Sequence, residues 1–278
     1  MVSLSNPATN IYIYSNKGSS SDQFAPVESF CTDQVVKRLK EHDVESRRII
    51  ALPDSSYLTR ELNSYLMSPV SGNRATLIIP GGNTLFLADS LENCIAKIQF
   101  AIKNGWNYLG FCSGANIACT RMGNGKVDIG DAYNLLGLLP VHAKVPVYTI
   151  TKSIMQGGDN ERMAGVLSAT GAKFSCFWNE GSKLEIITKC DALKPLAFYD
   201  DFADKPIAAL YGKYGEGHVV ATCVHPEMLD LPIVQGKKEK AEKKDTDEKK
   251  SSGEDDSAKN RKDYLKSLFD LTGITKAS

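Results

Sequence analysis

A chain of 278 residues with 42% hydrophobic side chains can bury a substantial core, as one large domain or two small ones. Its 33 basic and 33 acidic residues cancel, so composition carries no footprint for nucleic acid. Seven cysteines, without a Cys-x-x-Cys pair, argue against a disulfide framework and against a zinc site, and no metal is implied.

The opening Met1-Val2-Ser3-Leu4-Ser5-Asn6-Pro7 lacks a basic region followed by an apolar run, and no apolar stretch reaches membrane-spanning length. A reduced, cytoplasmic setting with no membrane partner is expected. Ile11-Tyr12-Ile13-Tyr14 reads as a first strand. A Ser/Gly-rich loop follows over 15–21. Val27, Phe30, Val35 and Leu39 recur at helical spacing and predict a helix over 27–41. A second strand is expected at 48–52, then a short helix at 55–66 with Leu58, Leu62 and Leu66 on one face. Ala75-Thr76-Leu77-Ile78-Ile79 reads as a strand of a parallel sheet covered on both faces. It exits through Pro80-Gly81-Gly82-Asn83. One long helix is expected over 85–104, then a strand over 106–111. This alternation is the mark of a three-layer α/β sandwich. In the second half, short strands are expected at 145–151, 173–178, 184–187, 197–199, 207–211 and 219–224, as antiparallel additions. Residues 237–262 are rich in Lys, Glu, Asp and Ser and nearly without apolar side chains, which predicts a flexible insertion. Helical spacing returns in Tyr264, Leu265, Leu268, Phe269 and Leu271. The chain thus divides into an α/β domain over 1–236, the charged insertion, and a helix over 263–275 that docks back on the domain.

The chemistry centres on Tyr108-Leu109-Gly110-Phe111-Cys112-Ser113-Gly114-Ala115-Asn116. A strand leads into a sharp Gly-x-Cys-x-Gly turn and a helix, the cysteine form of a nucleophile elbow. The helix N-terminus behind the sulfur favours thiolate. A tight turn carrying an inert, buried cysteine is the alternative. Four histidines could serve as base. His42 is expected on the surface at the exposed end of the first helix, His142 in a loop, and His218 at a strand start. His225 ends an apolar strand at the same sheet edge as Cys112, and Glu227 follows two residues later across the stiff Pro226. Backbone N–H groups of Ser113 and of the Gly81-Gly82 turn are the candidate oxyanion donors.

Pro-Gly-Gly after a strand, Gly-x-Cys-x-Gly at an elbow and a terminal His-Pro-Glu, in that order, resemble a class I glutamine amidotransferase-like domain, on a flavodoxin-like sandwich. The likeness is closest to the branch at the N-terminus of eukaryotic biotin–protein ligases. Leu136-Gly137-Leu138-Leu139-Pro140 and Tyr211-Gly212-Lys213-Tyr214-Gly215-Glu216-Gly217 also have counterparts there. The resemblance implies Cys112 as nucleophile, His225 as base, Glu227 as its orienter, and the Gly82 and Ser113 amides as oxyanion donors, with no cofactor. Gly81, Asn83, Asn116 and, in Trp178-Asn179-Glu180-Gly181, Asn179 are candidates for the substrate pocket. The implied substrate is a small molecule or an amide. An acceptor would be a ligase or synthetase supplied by another chain. Two departures stand out. Glutaminases of this class usually carry Gln where Asn116 stands. No Gly-Arg-Gly-Arg-type adenylate loop and no P-loop occur, so biotin ligation by this chain alone is not expected. A binding or regulatory module on the same fold, without turnover, is the other reading.

Overall fold

The computed structural model describes residues 10–15, 25–67, 74–123, 134–144, 161–179, 181–188, 190–229 and 251–275. The strand expected at 145–151, most of the loop at 15–21, Glu180 and residues 237–250 lie outside them. Asn10–Tyr14 (β1), Ile49–Leu52 (β2), Ala75–Ile79 (β3) and Asn107–Phe111 (β4) pair in parallel in the order β2-β1-β3-β4. Their side chains alternate between two cores. Tyr12, Tyr14, Leu77, Ile79 and Tyr108 enter one, and Ile11, Ile13, Ile78, Leu109 and Phe111 the other. Helices cover both faces, which is why these strands can be apolar almost throughout.

The first face is covered by Ser55–Met67 (α2), Thr84–Leu91 (α3), Ile95–Lys103 (α4) and Ser113–Ala118 (α5). The second is covered by Ala25–Glu41 (α1) and Ser251–Leu271 (α6). The single helix expected over 85–104 is in fact divided. A 3-10 turn, Glu92–Cys94, separates α3 from α4. That tightening aims Cys94 at α2, where its sulfur lies 3.1 Å from Thr59 Oγ1 and 3.6 Å from Ser55 O.

The remaining strands are Cys119–Gly123 (β5), Leu139–Lys144 (β6), Glu161–Ser168 (β7), Lys173–Asn179 (β8), Lys183–Ile186 (β9), Lys194–Tyr199 (β10), Ile207–Tyr214 (β11) and Gly217–Thr222 (β12). Among the described residues all twelve strands share one mixed sheet with the main path β2-β1-β3-β4-β12-β11-β10-β7-β8. β12 is the hinge of this arrangement: it runs parallel to β4 on one side and antiparallel to β11 on the other. The antiparallel additions of the second half are therefore present. No helix among the described residues is long and apolar enough to cross a membrane.

Helix α6 begins at Ser251, twelve residues before the expected 263. β8 ends the strand path, and an edge strand leaves backbone groups unpaired. The polar residues of α6 satisfy them. Ser175 N–H donates to Ser257 Oγ at 3.0 Å, Asn260 Nδ2 donates to Lys173 O at 2.9 Å, and Arg261 Nη1 donates to Ser175 O at 3.3 Å. Tyr264, Leu265, Leu268 and Phe269 then bury against the second core. Truncating the fully buried Leu265 to Ala is expected to cost about 2–5 kcal/mol, read as a lower denaturation midpoint.

Candidate active site

β3, β4 and β12 lie side by side and parallel, so their carboxyl ends open on one rim, where ligands of such sheets bind. Ile79 is in register with Gly110, and Phe111 with Thr222. This register alone brings Gly81-Gly82, Cys112 and the His225 segment together.

Cys112 caps the end of β4 with φ 49° and ψ −106°. The positive φ is the strained elbow, a backbone state costing about 1–3 kcal/mol outside glycine. Its N–H donates to Thr222 O at 2.7 Å. The flanking glycines are required by contact. A Cβ on Gly110 would stand 2.4 Å from Gly114 O, and one on Gly114 would stand 2.1 Å from Ile79 O. Tyr108 OH donates to Gly114 O at 2.7 Å and holds the turn from beneath. The helix behind the sulfur, α5, has only six residues, so its dipole contributes less than the sequence suggests.

His225 leaves the sheet just past β12. Its N–H donates to Phe177 O at 3.0 Å, and its ring lies against the Phe177 ring. Nδ1 is 2.7 Å from Glu227 Oε1, and both side chains are buried. A carboxylate can only accept, so Nδ1 carries the hydrogen. The Cys112 side chain neighbours the same ring, and both stand against Gly81. Burial works to lower the His225 pKa, but the Glu227 carboxylate and the Cys112 sulfur outweigh it and hold the value up at about 10. Gly81 packs on this pair: a Cβ there would stand 2.5 Å from His225 Cε1 and 3.5 Å from Cys112 Cβ.

The Gly82 N–H has no hydrogen-bond partner among the described residues, and Ser113 opens α5, where N–H groups lack intrahelical partners. Ser113 Oγ donates to Gly82 O and so ties the two loops together. A directed chain of hydrogen bonds continues from there. Thr84 Oγ1 donates to Ser113 Oγ at 3.0 Å, and Asn116 Nδ2 to Thr84 Oγ1 at 3.3 Å. Ser182 Oγ donates to Asn116 Oδ1 at 2.7 Å, and Tyr199 OH to Ser182 O at 2.8 Å. Both ends of the Asn116 amide are thus engaged. Asn83 serves as N-cap of α3, its Oδ1 accepting from Leu85 N and Phe86 N at 3.0 and 3.3 Å. Asn179 meets the thiol through its backbone: Cys112 Sγ donates to Asn179 O at 3.7 Å.

The other histidines stand elsewhere. His42 follows α1 at its exposed end, yet is itself half-buried rather than on the surface: it packs edge-on against Phe269 of α6, and burial lowers its pKa. His142 lies on β6 opposite Glu185 of β9, a strand and not a loop. His218 starts β12, at the far end from the rim, with Nδ1 2.9 Å from Tyr211 OH. All seven cysteines are free thiols. Burial pushes Cys119 up to about 12 and also raises Cys176 and Cys223, so these three are inert at neutral pH. Among the described residues no three His, Cys, Asp or Glu side chains are grouped to hold a metal. Thr84 and Ser182, which fix Asn116, carry no motif in the sequence.

Comparison with known proteins agrees with this architecture. The model of the family described as biotin-protein ligase, N terminal, matches residues 9–278. The biotin–protein ligase of Schizosaccharomyces pombe is 26% identical over 200 residues, which cover 67% of this chain and 30% of that protein. An uncharacterized protein of Chlamydia muridarum is 27% identical over 202 residues, 68% of this chain and 74% of that one. The chain therefore spans less than a third of the length of the fission yeast ligase it matches. A crystal structure of a glutamine amidotransferase superposes with a TM-score of 0.56 at 12% identity, covering 95% of this chain and 98% of that one. That likeness is one of fold. With the match running through nearly every residue, this chain belongs to the biotin-protein ligase N-terminal family and has a glutamine amidotransferase-like fold.

Proposed function

We propose that the rim is the site of cysteine-dependent amide hydrolysis or transfer, with Cys112 as nucleophile, His225 as proton carrier and Glu227 as its orienter. The observation that carries this reading is the His225 ring held between Glu227 Oε1 at 2.7 Å and the Cys112 side chain. With its pKa held at about 10, the ring keeps the proton at neutral pH. The sulfur attacks the amide carbon, and the carbonyl oxygen becomes an oxyanion facing the Gly82 and Ser113 N–H groups. His225 delivers its proton to the departing nitrogen, leaving ammonia or an amine and an acyl-thioester on Cys112. Water then attacks the thioester while His225 takes its proton. The acid leaves, and the sulfur departs as thiolate beside the protonated ring, the state in which the cycle began. The substrate class is a small molecule carrying an amide. A ligase or synthetase on another chain is the acceptor of released ammonia. Biotin ligation is not assigned to this chain.

A second reading, a non-catalytic binding or regulatory module, draws support from two observations. The thiol lies under Asn179 O, and the Asn116 amide is engaged at both ends. Alkylation of the intact chain by iodoacetamide, followed cysteine by cysteine with mass spectrometry, separates the two. The catalytic reading expects Cys112, 8% exposed, to react faster than the exposed Cys190, and an electrophilic amide analogue to add its acyl mass at Cys112. Amide turnover should vanish in Cys112→Ala. A Cys112 slower than Cys190, with no added mass, leaves only the binding module.

A further inference from the structure

Past the single bridge that joins His225 to Phe177 of β8, the turn that carries the base and its orienter belongs to no strand or helix. Met228 N–H donates to His225 O at 3.2 Å, and Leu229 N–H to Glu227 O at 3.0 Å. Glu227 is fully buried, and its Oε2 has no hydrogen-bond partner among the described residues. The carboxylate is therefore fixed at one oxygen only. Its aim at His225 depends on the backbone from which it springs.

Two arginines grip that backbone. Arg38 of α1, 2% exposed, donates from Nε to Glu227 O at 2.9 Å, across 189 positions of sequence. Its guanidinium is held in plane by its own helix: Nη1 donates to Glu41 Oε2 at 2.5 Å, and Nη2 to Gln34 Oε1 at 3.4 Å. Arg261 of α6 donates from Nη2 to Leu229 O at 3.1 Å while its Nη1 holds Ser175 O on β8. A planar fork can fix a carbonyl in both distance and direction, which a lysine cannot.

We infer that Arg38 and Arg261 are positioning residues, a two-sided clamp on the carbonyls of Glu227 and Leu229 that keeps the carboxylate aimed at His225 Nδ1. The inference rests on the reading of the rim given above. Neither arginine touches the reacting atoms. Their effect passes through the geometry of the turn, where a departure of about 0.5 Å is enough to weaken a catalytic contact.

The test is an NMR titration of the His225 ring nitrogens in the full chain, run beside the Cys112 alkylation rate, for wild type, Arg38→Met, Arg38→Lys and Arg261→Met. The sign of the change is diagnostic. Removing a nearby positive charge by itself raises an imidazole's pKa, whereas loosening the carboxylate lowers it. The clamp predicts that Arg38→Met moves the His225 inflection down by about one pH unit while Cys112 alkylation at pH 7 stays nearly unchanged, because the ring remains protonated there. Arg38→Lys recovers only part of this, and Arg261→Met shifts the inflection the same way by less. An inflection that stays put or rises while the melting midpoint falls assigns both arginines a purely structural role and overturns the clamp. Should Arg38→Met not fold, the half-buried Arg261 carries the same test. If wild-type Cys112 reacts no faster than Cys190, the catalytic reading fails, yet the imidazole titration still decides the clamp.

Discussion

Glu227→Gln is expected to slow alkylation of Cys112 at pH 7 by about a hundredfold, and His225→Gln by at least as much. The reason lies in what opposes burial around the imidazole. Burial favours the neutral ring, and the Glu227 carboxylate is the first of the groups that reverse it. With glutamine at 227, the ring loses its strongest reason to hold a proton, and its titration falls from about 10 toward or below the ordinary 6.5. At neutral pH it then no longer holds the proton beside the sulfur. Stopped-flow alkylation across pH 5 to 10 checks this, and a variant as fast as wild type at every pH contradicts it. The same raised value makes a prediction for stability. A charged His225 stabilises the folded chain fully below about pH 6.5, and this contribution fades as pH climbs through about 10. Denaturation midpoints of wild type and His225→Gln should therefore converge over that window.

Gly114→Ala is expected to be the most damaging glycine-to-alanine change among the described residues. Its Cβ would stand 2.1 Å from Ile79 O, a backbone atom at the carboxyl end of β3, with Ile79 C at 2.9 Å. Nothing at that contact is a flexible side-chain end. Either β3 or the elbow must move, and the register that joins Gly82 to Cys112 moves with it. A loss of about 3–5 kcal/mol, roughly 10 °C in melting midpoint, is the expected scale. Gly105 supplies the contrast. Its φ is +108°, but nothing lies within 4 Å of a Cβ there, so Gly105→Ala tests backbone strain alone and should cost about 1 kcal/mol. Equal losses at the two positions, measured by chemical denaturation, would refute the steric account.

The parallel half of the fold was legible because its strands obey one rule. Ala75–Ile79 and Asn107–Phe111 are buried on both faces, so nearly every residue is apolar or aromatic. The elbow and the His-Pro-Glu ending were legible because glycine and proline leave marks that side-chain periodicity does not. β5, β6 and β7 were not. β5 follows a helix of only six residues, where a helical continuation is the natural reading. β6 alternates buried and half-buried residues, yet Pro140 and His142 disguise its six positions. The start of α6 was hidden for a different reason. Its polar residues serve the open edge of β8, and no helix periodicity announces a side chain that bonds a distant backbone. Ser182 to Asn116 and Arg38 to Glu227 are invisible in the same way, since each joins residues that only the folded sheet makes neighbours.

The backbone angles at Cys112 set stability against chemistry at a single position. A φ of 49° with ψ of −106° suits glycine better than any side-chain-bearing residue, so the fold is at its least comfortable where the sulfur stands. Selection for stability alone would favour glycine at this position, and the proposed function supplies a reason for cysteine to stand there instead. A descendant lineage with glycine at this turn and the rest of the elbow intact would therefore mark abandoned reactivity on a sound scaffold.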